Sequence, residues 1–293
     1  MSDLAKILLI GRTGQVGHAL AALDWPDAEL VTVDRTEADL TDSLGLTELV
    51  RKHRPDLVIN AAAYTAVDLA ETERTTNCLA NAEAPAALAL GCDEVGARLI
   101  HFSTDYVFDG TGSTPYREED AVCPVNAYGA AKLRGEQAVL EGRHRNVVFR
   151  LSWVYAARGK NFALTMLRLA NGGKPIRVVA DQVGSPTYVG AIADGVQAIV
   201  RQLLQDDEAP GGLFHLSAGG ETSWHGFAQA LLNEALKEGA PTVGPIPTSD
   251  YPTPAKRPAY SVLSNEKVAE RFGVRLPDWR TQLERWVQDL PAA

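Results

Sequence analysis

Short apolar runs alternate with stretches of helical spacing through the first half of the chain. Residues 6–10, 30–33, 57–60, 98–104 and 146–153 are nearly continuous in apolar side chains. A run without polar alternation predicts a strand buried on both faces. Between these runs lie segments with apolar positions three and four apart. They predict helices from about His18, over 44–53, over the alanine-rich 81–95, and from near Asn126 towards Gly142. Repeated strand–helix units predict an α/β fold, a Rossmann-type doubly wound parallel sheet covered on both faces.

The second half has another texture. Prolines from Pro175 to Pro258 punctuate it, and 242–258 reads as extended and loop-like. Helical spacing persists over 189–204, 224–237, 265–272 and 281–290, with a short strand at 214–217. The expected organisation is a dinucleotide-binding domain over 1–155, with returning elements in about 175–220. A smaller, partly interwoven C-terminal substrate lobe then takes 156–174 and 221–293. The chain shows no internal repeat.

The first strand runs into Gly11-Arg12-Thr13-Gly14-Gln15-Val16-Gly17 and then a helix. Glycines so spaced allow a tight turn, close approach of backbone to a pyrophosphate, and amides facing negative charge. The alternative is a glycine turn that binds nothing. No Lys-Ser/Thr follows the last glycine, which argues against a nucleoside-triphosphate loop. Asp34 ends the second strand, where a dinucleotide fold places an acid on the adenosine ribose. Arg35 follows it and Arg12 lies in the turn. A guanidinium pairs with a 2′-phosphate and a carboxylate repels one. The two pressures predict NADPH with NADH also accepted. Ligands in such sheets lie beyond the carboxyl ends of the strands, and Gly11, Asp34, Ala62, Thr104 and Trp153 all fall there.

Tyr128 and Lys132 are four apart on one helix, so they share a face. An ammonium one turn away favours a phenolate and lowers a tyrosine pKa, which suits proton transfer to a carbonyl oxygen.

Composition narrows the classes. The 293 residues are 45% hydrophobic and 22% charged, with net charge −9. That supports an ample core and gives no basic stripe for nucleic acid or an anionic membrane. The N-terminal residues Met1 to Ala5 carry no signal pattern, and no stretch reaches membrane-span length. The three cysteines are widely spaced and the six histidines form no metal-ligand pattern. A cytoplasmic protein with reduced thiols and no metal is expected.

Gly11/Gly14/Gly17, Thr104 and Tyr128/Lys132 together resemble the extended short-chain dehydrogenase/reductases. Longer strings resemble, more narrowly, the dTDP-4-dehydrorhamnose reductase family. These are Asn60-Ala-Ala-Ala-Tyr-Thr-Ala-Val-Asp68, Ser103-Thr-Asp-Tyr-Val-Phe-Asp-Gly110, Arg150-Leu-Ser-Trp-Val-Tyr155, Asn161-Phe162, Asp181-Gln-Val-Gly-Ser-Pro-Thr187 and Tyr251-Pro-Thr-Pro-Ala-Lys-Arg-Pro258. The resemblance implies reduction of the C4 keto group of a dTDP-linked deoxysugar. It implies Tyr128 as proton donor, Lys132 on Tyr128 and the nicotinamide ribose, and Thr104 on the reacting oxygen. It implies Asp105 and Trp153 at the sugar and Arg257 at the nucleotide diphosphate. Asp39 and Leu40 would meet adenine, and Ala63, Tyr64 and Thr65 would line the cofactor groove. A metal-linked dimer is not carried over, since His18 and Gly190 stand where carboxylates would be wanted. The oligomeric state is left open. Two other readings share the fold: a regulatory subunit without catalysis, such as that of methionine adenosyltransferase, and another sugar-nucleotide reductase or epimerase.

Overall fold

The computed structural model describes residues 4–142, 145–206 and 209–291. Met1, Ser2 and Asp3, read above for a signal, lie outside them. The first half runs β1 (Ala5–Ile10), α1 (Gln15–Ala21), β2 (Ala28–Val33), α2 (Ser43–His53), β3 (Leu57–Asn60), α3 (Arg74–Cys78), α4 (Ala84–Val95), β4 (Arg98–Thr104), α5 (Ala127–Glu141) and β5 (Val147–Leu151). The second half adds β6 (Val154–Tyr155), α6 (Phe162–Asn171), β7 (Ile176–Val179), β8 (Val183–Gly184), β9 (Thr187–Tyr188), α7 (Val189–Gln205), β10 (Gly212–His215), β11 (Thr222–Ser223), α8 (Trp224–Leu236), β12 (Val243–Ile246), α9 (Glu266–Phe272) and α10 (Trp279–Gln288).

One parallel sheet has the order β2-β1-β3-β4-β5-β10. The order reverses between β1 and β3, which opens a crevice at their carboxyl ends. Alternate side chains of a strand face opposite layers. Ile7 and Leu9 therefore pack with Ile192, Val196 and Val200 of α7, while Leu8 and Ile10 pack with Leu46 and Val50 of α2 and Leu88 of α4. Both layers being apolar explains the unbroken hydrophobic runs. Each such side chain contributes roughly 1.5–3 kcal/mol by leaving water. A separate core joins Tyr155, Phe227, Leu231, Trp279, Leu283 and Trp286.

Three differences from the sequence expectation have local causes. The helix expected over 81–95 begins at Arg74 and passes through a π turn, Leu79–Glu83. Pro85, in the first turn of α4, has no amide to give. Strand β5 stops at Leu151 and Trp153 lies beyond it with φ +45°, a left-handed backbone rare for a bulky residue. The stretch 242–258 is not wholly loop. Its Val243–Ile246 pairs in parallel with β7, a partner too distant in sequence to be read locally. No helix among the described residues is long and apolar enough to cross a membrane.

Candidate active site

The glycine turn is built by close contact. Gly11 has φ +92°, and its amide and that of Arg12 both donate to the Val33 carbonyl, at 3.0 and 3.2 Å. A Cβ on Gly11 would lie 2.8 Å from the Ala62 nitrogen, and one on Gly17 would lie 2.1 Å from the Gly11 oxygen. Glycine is therefore required at both positions.

Beyond the strand ends lies a cleft of about 780 Å³. Gly11, Gly14, Gln15 and Val16 form its turn side; Asp34, Arg35, Asp39 and Leu40 lie at one end; Ala62, Ala63, Tyr64 and Thr65 line the middle. Thr104, Asp105, Tyr128, Lys132 and Trp153 close the other end. Gly17 sits behind the turn and Arg257 stands apart from the cleft wall. Arg257 donates to Asp68 at 2.9 Å, lies 5.8 Å over the Tyr106 ring, and leaves Nη1 buried without a partner.

The carboxylates at the two ends are pushed in opposite directions. Thr36, through hydroxyl and amide, and then Arg12 hold Asp34 down at about 2. Arg12 reaches Asp34 at 2.6 Å and Glu37 at 3.4 Å. Thr41 lowers Asp39, with a smaller part from the charge of Arg35. Asp105 is buried, and burial raises it to about 6 against bonds from Ser261, Ser152 and Thr104.

Asn126 caps α5 by accepting from the Gly129 amide at 2.8 Å, which fixes the first turn that carries Tyr128. Thr104 Oγ1 donates to Asp105 Oδ1 at 3.1 Å and accepts from the Tyr106 amide at 3.2 Å. Tyr128 is buried at the same end of the cleft. Its pKa is pushed up, first by burial and then by the charge of Asp105. This reverses the lowering expected from Lys132. The amine is engaged elsewhere: Nζ donates to the Phe102 carbonyl at 2.6 Å and lies 3.0 Å from His101 Nε2. Burial lowers Lys132 to about 7, against the charge of Glu136.

Several contributors carried no assigned role in the sequence, although Asn161, Phe162 and Gly184 lie in strings of the family resemblance. Trp224 stacks on Trp153 with centroids 3.5 Å apart, and Phe162 packs 4.6 Å from Trp224. A Cβ on Gly184 would meet the Trp153 ring at 2.4 Å, so that glycine seats the stack. Asn81, in the π turn, accepts from the Tyr64 amide at 3.1 Å and donates to its carbonyl at 2.8 Å, fixing the middle of the groove. Asn161 donates to Gln15 at 3.1 Å and ties α6 to the glycine turn. The further local signals were an asparagine in an alanine-rich helix and an aromatic after a serine.

Residues 5–291 match the family described as RmlD substrate binding domain. The chain is 48% identical to dTDP-4-dehydrorhamnose reductase of Burkholderia thailandensis, over 97% of this chain and 99% of that protein. It is 43% identical to the enzyme of that name from Escherichia coli K12, over 97% and 98%. The crystal structure of dTDP-4-dehydrorhamnose reductase from Bacillus anthracis in complex with NADP superposes with a TM-score of 0.89 at 33% identity, covering 98% of this chain and 99% of that one.

Proposed function

The chain belongs to the dTDP-4-dehydrorhamnose reductase family, and we propose that it reduces the C4 keto group of dTDP-4-dehydro-L-rhamnose to give dTDP-L-rhamnose, using NADPH and accepting NADH. One observation carries this reading. Thr104, Tyr128 and Lys132 lie together at the end of a single cleft whose remainder is lined by Gly11, Asp34, Ala62 and Tyr64.

The close glycine turn and the small residues Ala62 and Ala63 leave backbone within reach of a dinucleotide. Gly11, Gly14, Gln15 and Val16 would hold its pyrophosphate, Asp34 and Arg35 its adenosine ribose, and Asp39 and Leu40 its adenine. Gly17 would act through packing, by letting α1 approach the turn. The bound nicotinamide supplies hydride to C4. Tyr128 supplies the proton to the developing alkoxide. A phenol raised by burial is fully protonated at neutral pH, which suits a donor. Thr104 directs its hydroxyl proton at Asp105; a substrate oxygen beside it competes for that proton and is polarised by it. Lys132 would contact the nicotinamide ribose and return the proton to Tyr128. Trp153 offers a flat apolar face to the sugar. Arg257, with a buried donor still unmatched, would grip the nucleotide diphosphate through a fork suited to phosphate. Residues 156–174 and 221–293 would form the substrate lobe.

The thiols Cys78, Cys92 and Cys123 form no disulfide, which supports a reducing compartment such as the cytoplasm. The test is consumption of NADPH by purified protein with dTDP-4-dehydro-L-rhamnose. Absence of consumption at any substrate concentration would leave a binding subunit. Tightly held oxidised cofactor after purification would favour an epimerase.

A further inference from the structure

Three bonds run in series from the cofactor groove to the lysine of α5. The Ala62 amide donates to Asn60 Oδ1 at 3.2 Å. Asn60 Nδ2 lies 3.1 Å from His101 Nδ1, and His101 Nε2 lies 3.0 Å from Lys132 Nζ. Asn60, His101 and Lys132 are each about 1% exposed, so solvent does not reach the chain of bonds.

Each link constrains the next. A backbone amide can only donate, so the Asn60 atom facing it is the carbonyl oxygen. The amide nitrogen at the other end is a donor, and His101 Nδ1 must receive it with a lone pair. A neutral imidazole carries one N–H, so the proton sits on Nε2 and points at Lys132. An ammonium has no lone pair to accept it; an unprotonated amine does. That amine still has a hydrogen for the Phe102 carbonyl, 2.6 Å away.

We propose that Asn60 and His101 are positioning residues that fix one imidazole tautomer and thereby hold Lys132 as a neutral amine in the cofactor-free protein. Burial independently favours the same state. It drives His101 well below its ordinary value, which keeps the ring neutral, and it lowers Lys132 to about 7, which brings the neutral amine within reach at neutral pH. The other groups around the amine give only partial opposition. Glu136, one turn on in α5, favours the ammonium, but Arg150 of β5 binds it through Nε at 3.0 Å. Tyr128, one turn back, is held protonated. Asn77 and Asn81, from the helix packed on α5, are neutral amides bonded to each other at 2.8 Å.

The arrangement links the groove to the chemistry. The bond that orients Asn60 comes from a main-chain amide of the cofactor-lining segment. Turning the Asn60 amide over would move the imidazole proton to Nδ1, free Nε2 as an acceptor, and allow Lys132 to carry a proton. The meaning for turnover rests on the reductase reading; the tautomer does not.

The test is ¹⁵N NMR of histidine-labelled, cofactor-free protein at neutral pH, with the His101 signals assigned by their loss in His101→Gln. The expected pattern is a proton on Nε2 and a bare Nδ1. A proton on Nδ1 overturns the proposal. The second measurement uses Asn60→Asp, whose carboxylate accepts from both Ala62 and His101. Its imidazole pattern should invert, and the limb of the kcat/KM profile that reports Lys132 should rise by about one pH unit or more. An unmoved limb with only a lower melting temperature would mean that Asn60 serves stability alone. If Asn60→Asp does not fold, the wild-type spectrum decides. An inactive wild type would sink the reductase reading and leave the tautomer result standing.

Discussion

The two ends of the cleft are made by different means. At the cofactor end the surface is main chain: Gly11 and Gly17 bring backbone against backbone, and Asp34 is pinned by Thr36 two residues away. Most contacts there join the ends of neighbouring strands: Gly11 to Val33 and Ala62, and Arg12 to Asp34. At the sugar end the surface is side chain. Trp153, Trp224 and Phe162 come from three elements, and Arg257 is held by Asp68 from 189 residues away. Electrostatics divide the same way. The half-buried carboxylate among hydrogen-bond donors is held down, and the fully buried one beside Tyr128 is pushed up. A surface of backbone can recognise a cofactor with little dependence on any one side chain. The chemistry at the other end depends on single groups.

The largest expected effect follows from that dependence. Tyr128→Phe removes the proton donor while Gly11, Asp34 and Tyr64 remain in place. Its kcat should fall ~10²–10⁴-fold, with cofactor affinity nearly intact by titration. Near-normal turnover would end the division of labour. Lys132→Ala should lose comparable turnover and also weaken cofactor binding, because the same amine is proposed to contact the nicotinamide ribose. Unchanged cofactor affinity would confine Lys132 to the proton.

Next in size is the cost of keeping Asp105 buried. Its folded pKa lies above the unfolded value, 3.8 against about 6. Between about pH 4 and 6 the folded state therefore binds more protons than the unfolded chain, and stability falls as pH rises through that window. At ~1.4 kcal/mol per unit the full cost above pH 6 is at most ~3 kcal/mol. Denaturant unfolding at pH 5 and pH 7 should show about half of this loss, the part that falls above pH 5, in the wild type and not in Asp105→Asn. Equal pH dependence in the two proteins would remove the contrast with Asp34.

Legibility in the sequence follows the same boundary. The strands, the glycine turn and the Tyr128–Lys132 spacing were readable because each is set within a few residues. The start of α5 near Asn126 was readable too, though not the bond from the Gly129 amide that makes Asn126 its cap. The pairing of β12 with β7, the Trp153–Trp224 stack and the Arg257–Asp68 tie were not, because each joins segments remote in sequence. Spacing also gave the right neighbours and the wrong coupling for Tyr128. It places Lys132 on the same helix face but does not say that the amine turns to Phe102 and His101 on β4.

A smaller effect is expected at the sugar face. Trp153→Ala removes one plane of the aromatic stack. Such contacts are worth ~0.5–1.5 kcal/mol beyond the area they bury, so the sugar-nucleotide KM should rise by about tenfold or less. The KM for NADPH should stay put. A change in both would mean that Trp153 serves the cofactor end as well, for instance by holding Val154 and Tyr155 in the cleft wall.

The smallest effect tests whether any side chain at the cofactor end discriminates. Arg12 is already committed, bonded to Asp34 at 2.6 Å and to the Thr32 carbonyl at 3.1 Å. Arg35 lines the cleft beside Asp39 and is the better placed to meet a 2′-phosphate. Asp34 opposes it, since an ionised carboxylate repels the phosphate and accepts from ribose hydroxyls. An exposed charge pair in water contributes ~0.2–1 kcal/mol, so the kcat/KM ratio of NADPH to NADH should favour NADPH by less than about tenfold. In Arg35→Ala that ratio should drop towards or below one through loss of NADPH efficiency, with NADH kinetics unchanged. If the ratio holds in Arg35→Ala and falls in Arg12→Ala, the guanidinium of the glycine turn reads the phosphate and Asp34 only stores it. If it holds in both variants, backbone alone recognises the cofactor, and the contrast between the two ends is complete.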